Sequence, residues 1–312
     1  MANLSIVQNS KLSVYKRTEK KITSHLFKGV DSVLTYLWIN LTAVVSLIFF
    51  KLLNRTEIIG RENIPDKTKV LLCSNHQTMI DSFLIGAFAF FPKVLIRPDL
   101  LPYHPAALEN FFKGRILSWM SRKWRCIPVR RGNRGEKDMF ALSQMIKTLK
   151  RGTMILFPEG TRSRTGRVGP GRVGVGKLIH DTKPVVVPVA IHGMDKVLPI
   201  GASFPHFFQK IRIIYGKPID LEEYFQMPEG VQTSRLIVDS VISEITDLHD
   251  LLGTRAYLEK AKKISQPLLR EKEISELSSL HGDTTEAPFK LPEQPLSTLN
   301  APEEYVDKDQ IH

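Results

Sequence analysis

Apolar residues in this chain follow two rhythms. Short runs rich in Val, Ile and Leu at 56–60, 69–73, 93–97, 125–129, 153–157, 184–190 and 211–215 predict strands. Between them, 78–91, 106–124, 136–150 and 173–180 place apolar residues every third or fourth position and predict helices, and 231–263 predicts a long closing helix. Strands without strict alternation, separated by helices, imply an α/β fold: a largely parallel sheet with helices on both faces. In such sheets chemistry gathers at the carboxyl ends of strands.

One apolar stretch follows neither rhythm. Residues 32–50 run without a charge, SVLTYLWINLTAVVSLIFF, and at 1.5 Å per residue would make about 28 Å of helix, close to a bilayer core. A signal peptide fits badly, because the basic lead of 1–29 is long and Phe49-Phe50-Lys51 is no small-residue cleavage site. Basic residues on both flanks give no orientation. Thr35, Asn40 and Thr42 leave a monotopic segment open beside a spanning one, and a buried core helix is the plain alternative. The expected organisation is a basic N-terminal region with a membrane-associated helix over 1–54, a catalytic domain over 55–264 and an acidic, disordered tail over 265–312. The tail is rich in Pro, Ser and Glu and lacks periodicity.

Charge narrows the partners. The chain carries +12 overall, but from Ser265 onward four Lys/Arg stand against ten Asp/Glu, so the remainder holds +18. Such a surplus calls for an anionic partner: nucleic acid, a membrane surface or a phosphorylated substrate. No nucleic-acid-binding motif and no aromatic strand face for stacking bases is present, so nucleic acid is not expected. The helix containing Phe111 to Trp124 combines aromatics with Lys113, Arg115, Arg122 and Lys123, and reads equally as an interfacial helix or as one packed on the sheet. Cys73 and Cys126 are the only cysteines and lie in apolar runs, which argues against a disulfide framework or a zinc site and for a reducing compartment. The expected location is therefore a membrane surface on the cytoplasmic or another reducing side.

The candidate chemistry begins at Leu71-Leu72-Cys73-Ser74-Asn75-His76-Gln77-Thr78-Met79-Ile80-Asp81. Ser74 or Asn75 is placed to cap the helix that follows. Five residues is a poor spacing on one helix face, so His76 and Asp81 can meet only if His76 sits in the non-helical lead-in and folds back. Asp81 would then hold one ring nitrogen and leave the other as a base. The helix N-terminus disfavours the imidazolium while the carboxylate favours it. The pair alone is weak, since a capping His beside a solvated Asp is as good a reading.

Phe157-Pro158-Glu159-Gly160-Thr161-Arg162-Ser163 also follows a strand, and its composition suits anion capture. Gly160 permits close backbone approach, Thr161 and Ser163 offer hydroxyls, and Arg162 offers a bidentate fork that Glu159 would orient. Arg164, Arg167, Arg172 and Lys177 follow with no acid between them. A third cluster, Arg125-Cys126-Ile127-Pro128-Val129-Arg130-Arg131, ends a strand in two guanidinium groups.

The ordered set NHQTMID, IPVRR, FPEGTRS and VVVPVAIHG resembles the glycerolipid acyltransferase family typified by 1-acylglycerol-3-phosphate acyltransferases, over roughly residues 55–220. That resemblance implies His76 as general base and Asp81 as its partner. It places the glycerol-phosphate site at Glu159, Gly160, Thr161, Arg162 and Arg131, with Asn75, Ser163 and Pro188 in support. Many members have Asp where Arg130 stands here. HGMDKVLP and FPHFFQKIRIIYGKPI are similar to tafazzin, a branch that moves acyl chains between phospholipids and lysophospholipids, although tafazzin departs from FPEGTRS after the Gly. The implied partners are membrane lipid, a lysophospholipid acceptor and an acyl thioester donor, acyl-CoA or acyl-carrier protein, with no cofactor and no metal. No G-x-S-x-G elbow occurs and Cys73 lies inside an apolar strand, so a covalent nucleophile is not favoured. A tafazzin-like remodelling enzyme and a non-catalytic basic membrane adaptor are the competing readings.

Overall fold

The computed structural model describes residues 33–130 and 136–253. Arg131, the N-terminal 1–32 and the acidic tail lie outside the described residues. In chain order the elements are α1 (Val33–Leu47), β1 (Arg55–Ile59), β2 (Val70–Ser74), α2 (Asp81–Phe90), β3 (Pro102–Ala107), α3 (Gly114–Lys123), β4 (Cys126–Val129), α4 (Glu136–Leu149), β5 (Thr153–Leu156), α5 (Val173–Thr182), β6 (Val185–His192), β7 (Lys210–Tyr215) and α6 (Val231–Gly253).

The strands form one seven-stranded sheet in the order β1-β7-β6-β2-β5-β3-β4. Every neighbouring pair is parallel except β6 with β7, so the fold is a largely parallel α/β sheet. β2 sits in the middle with all five residues buried, which is why its sequence reads as an unbroken apolar run. Leu72 joins one core cluster with Leu84, Ile85 and Phe88 of α2, while Leu71 and Cys73 join another with Leu149 of α4, Leu178 of α5 and Val241 of α6. Alternate residues of one strand thus feed two cores, α1 and α2 on one face and α4, α5 and α6 on the other.

β2 leads through α2 to β3 on one side, and β5 leads through α5 to β6 on the other. The chain leaves two adjacent strands in opposite directions, which opens a crevice between their carboxyl ends.

Two predicted elements differ. Residues 93–97 do not form a strand; Lys93–Leu95 is a single 3-10 turn. The helix expected over 106–124 begins later, because Pro102–Ala107 is a strand, β3. Pro102 and Pro105 hide it, yet β3 changes partner midway: Pro102 and Tyr103 pair with β5, and His104 to Ala107 pair with β4. Each half is an edge on one side, where a missing N–H costs no ladder bond.

The helix that begins with α1 continues as a π-helical stretch, Ile48–Leu53. Its amphipathicity is inverted. Thr35, Asn40 and Ser46 are buried against the protein, whereas Leu37, Leu41, Val45 and Leu52 face outward with 56%, 57%, 56% and 73% of their surface exposed. Lys123 Nζ donates to Thr35 Oγ1 at 2.8 Å and Trp124 Nε1 to Thr42 Oγ1 at 3.0 Å, so the polar side chains of α1 serve its contact with α3. Thr35–Leu53 is long and apolar enough to cross a bilayer, and a core helix would not leave its apolar side bare.

Candidate active site

His76 lies in the turn between β2 and α2, and Asp81 is the first residue of α2. The turn folds back over the helix start, bringing His76 Nδ1 to 2.9 Å from Asp81 Oδ2. The same oxygen accepts from the Gln77 and Thr78 N–H groups at 2.7 and 2.8 Å, and Oδ1 accepts from Thr78 Oγ1 at 2.6 Å. Asp81, fully buried, therefore acts only as an acceptor, and an acceptor at Nδ1 assigns the ring proton there. Nε2 is left with its lone pair, and it makes no hydrogen bond among the described residues.

The ring is held from a second direction. Phe157, immediately after β5, stacks on His76 with ring centroids 4.0 Å apart and planes 14° from parallel. Its neighbours are pinned too: Asn75 exchanges two hydrogen bonds with the Ile191 backbone of β6 at 3.0 and 2.9 Å, and Gln77 Oε1 accepts from Met194 N–H at 2.9 Å. Neither Ser74 nor Asn75 caps α2, because Asp81 already holds the amides before it; the Ser74 hydroxyl instead donates to Asn75 O at 3.0 Å.

The 157–163 loop is fastened directly to this turn. Glu159 Oε1 accepts from His76 N–H at 2.9 Å, and Ser163 N–H donates to His76 O at 2.7 Å. Glu159 Oε2 accepts from Gly169 N–H at 2.9 Å, which closes the loop on itself. Glu159 thus ties two loops together where orientation of Arg162 was expected. Burial raises its carboxyl above the usual range, against the lowering effect of the two backbone donors. Gly160 has φ of +69°, and a Cβ there would lie 2.2 Å from Arg172 Nε, so this position requires glycine.

Arg162 is half-buried with no side-chain bond among the described residues, and Thr161, Arg164 and Arg167 are exposed. The basic run is smaller than its sequence suggests. Arg172 Nε donates to Glu159 O at 3.2 Å, and Lys177 is paired with Asp181 and Glu229. Ser163 Oγ donates to Arg167 O at 2.7 Å. Pro188 lies within β6 opposite Cys73, in the strand behind the site. Arg130 is half-buried at the end of β4, two strands beyond β5. Gln77, Thr78, Phe157 and Gly169 had no assigned role in the sequence reading. Gln77 and Phe157 stand inside motifs picked out for other residues, and only the fold shows what they touch.

An apolar cleft lies between α1 and α2, and neither His76 nor Asp81 lines it. Ser82, Phe83, Gly86 and Ala87 of α2 face Ile39, Thr42 and Ala43 of α1 across about 540 Å³ of open space, part of it continuous with solvent.

Residues 55–192 match the protein-family model described as Acyltransferase. The chain is 30% identical over 172 residues to a chloroplastic 1-acyl-sn-glycerol-3-phosphate acyltransferase of Arabidopsis thaliana, covering 53% of this chain and 44% of that protein. It is 25% identical over 234 residues to the protein named Taffazin of Dictyostelium discoideum, covering 71% and 76%. The crystal structure of the 1-acyl-sn-glycerophosphate (LPA) acyltransferase PlsC from Thermotoga maritima superposes with a TM-score of 0.49 at 21% identity, over 75% of this chain and 97% of that one. The chain spans less than half the length of the chloroplastic plant relatives it matches.

Proposed function

We propose that this protein is a membrane-bound O-acyltransferase that moves an acyl group from a thioester, acyl-CoA or acyl-carrier protein, to the free hydroxyl of 1-acylglycerol-3-phosphate, giving phosphatidate. The observation that carries this reading is the His76–Asp81 pair joined through backbone to the 157–163 loop, with 2.9 Å from Nδ1 to the carboxylate and 2.7 Å from Ser163 N to His76 O. On this reading the acceptor sets its hydroxyl at Nε2 and its phosphate at this loop.

The chemistry needs no acyl-enzyme. Nε2 takes the hydroxyl proton as the oxygen attacks the thioester carbonyl; the tetrahedral intermediate then expels the thiolate, which recovers the proton from His76. General-base help of this kind is typically about a hundredfold to ten-thousandfold. The rest comes from holding the acceptor by its phosphate, for which Arg162 is the free guanidinium beside the site, and from the apolar cleft, which suits an acyl chain.

Purified protein assayed with lysophosphatidate and labelled acyl-CoA tests the reading. His76→Ala should lose at least about a hundredfold in turnover with lipid binding intact, and Arg162→Ala should chiefly raise KM. Full turnover in the first variant would sink it. A tafazzin-like transfer between phospholipids is favoured by one observation: the match to Taffazin extends over 71% of the chain. Preference for a headgroup-bearing lysophospholipid over lysophosphatidate would select that reading.

A further inference from the structure

We propose that the aromatic loop between the short helix Met194–Val197 and β7 is a second membrane contact, which seats the His76 edge of the sheet in the headgroup region of an anionic bilayer. Four large apolar side chains crowd nine positions of this loop: Ile200, Phe204, Phe207 and Phe208 are 48%, 81%, 48% and 77% exposed. Isolated exposed apolar residues are ordinary, but an adjoining group of this size marks an interaction surface.

The loop is fastened to the end of the anchor helix. Phe207 packs edge-on against Phe49 with centroids 5.9 Å apart. Phe208 N–H donates to Leu53 O at 2.7 Å, and Gln209 N–H to Asn54 Oδ1 at 2.9 Å. Phe208 has φ of 62°, a left-handed conformation that bulky residues avoid, and these bonds hold it there with its ring turned outward. The patch therefore continues the outward face of the helix at Leu52, 73% exposed.

Register puts the loop on the catalytic edge. β2 runs parallel to β6 with Ser74 beside Val189, and β7 runs antiparallel to β6 with Arg212 beside His192. The start of β7, into which the loop runs, is thus at the same end of the sheet as the carboxyl end of β2, two strands or roughly 10 Å away. Charge points to the occupant. Lys51, Arg55, Lys196 and His206 are exposed around the aromatic group, with Asp195 as the exposed acid. Aromatic rings among basic side chains settle where acyl chains meet anionic headgroups. An acceptor lipid could then reach His76 while its tail stays in the bilayer, a consequence that rests on the proposed function; the membrane contact itself does not.

The test uses the full chain in vesicles of phosphatidylglycerol and phosphatidylcholine. Phe204→Cys carries an environment-sensitive fluorophore; Cys73 and Cys126 are buried and stay unlabelled. The label should shift to the blue on vesicle addition and be quenched best by lipids spin-labelled near the headgroup, while a Leu41→Cys label is quenched by mid-chain probes. Aqueous emission at position 204, whether or not position 41 is quenched, would overturn the proposal. A shift without vesicles that grows with protein concentration would also overturn it, assigning the loop to a second copy. In a separate arm, Phe204→Ser with Phe208→Ser should lower activity on vesicle-embedded lysophosphatidate by about tenfold or more, the loss of two buried rings, and leave a short-chain soluble acceptor unaffected. Equal loss on both acceptors would count against a membrane role. If the unmodified protein turned over neither acceptor, the acyltransferase reading would fail, and the label would still decide the contact.

Discussion

Asp81 accepts four hydrogen bonds with two oxygens while fully buried. This distinguishes its work from that of a solvated capping residue. Asparagine would keep its oxygen towards the two backbone N–H groups and Nδ1 and turn its amide nitrogen to the Thr78 hydroxyl, which must then accept instead of donate, so the site loses the negative charge that steadies the imidazolium and one charge-assisted hydrogen bond. Asp81→Asn should therefore lose both function and stability. Turnover should fall about a hundredfold or more, and the denaturant midpoint should drop by the equivalent of about 2–3 kcal/mol, the scale of hydrogen bonds to a charged group. His76→Ala should match the first loss without the second, since the imidazole holds up little of the turn. Asp81→Asn melting like the parent would mean that the carboxylate does not organise the turn.

At the scale of elements, α1 carries the clearest consequence, because its polar side chains face the protein and its apolar ones face outward. Leu41→Lys puts a charge on the outward side, which costs roughly 2.5–3.5 kcal/mol near the centre of a membrane helix. The fraction of protein resisting alkaline carbonate extraction should fall, with the catalytic domain still folded; unchanged extraction would place α1 outside the bilayer. The apolar stretch was legible in the sequence, but its inversion was not, since that depends on which side α3 and α2 occupy. β3 escaped for a local reason, the two prolines that its change of partner makes harmless. The turn at His76 was legible because five-residue spacing leaves one way for the pair to meet. The job of Glu159 was not: its partners, His76 N–H and Gly169 N–H, lie 83 and 10 residues away, and adjacency to Arg162 pointed elsewhere.

For the whole molecule, buried titrating groups set how stability follows pH. His104 on β3 borders the cleft between α1 and α2, with its Nδ1 enclosed and its Nε2 3.2 Å from Cys126 Sγ. Burial pushes its pKa down from 6.5 to about 4. His192 is lowered too, chiefly by burial and then by His249 beside it. Because the folded state refuses a proton that the unfolded chain accepts, stability is fully present above about 6.5 and is lost as pH falls toward 4, by roughly 3 kcal/mol for His104 at 1.36 kcal/mol per unit. Glu159 has the opposite sign: its raised pKa favours the folded state below the ordinary carboxyl range and loses that advantage as pH rises. His104, whose pKa falls from 6.5 to about 4, sets the direction, so the denaturant midpoint in detergent should fall as pH drops from 6.5 towards 4. His104→Phe, which keeps the ring volume beside Phe83 and removes the titrating nitrogens, should flatten most of that slope. A variant whose midpoint fell as steeply as the parent's would show that another group carries the linkage.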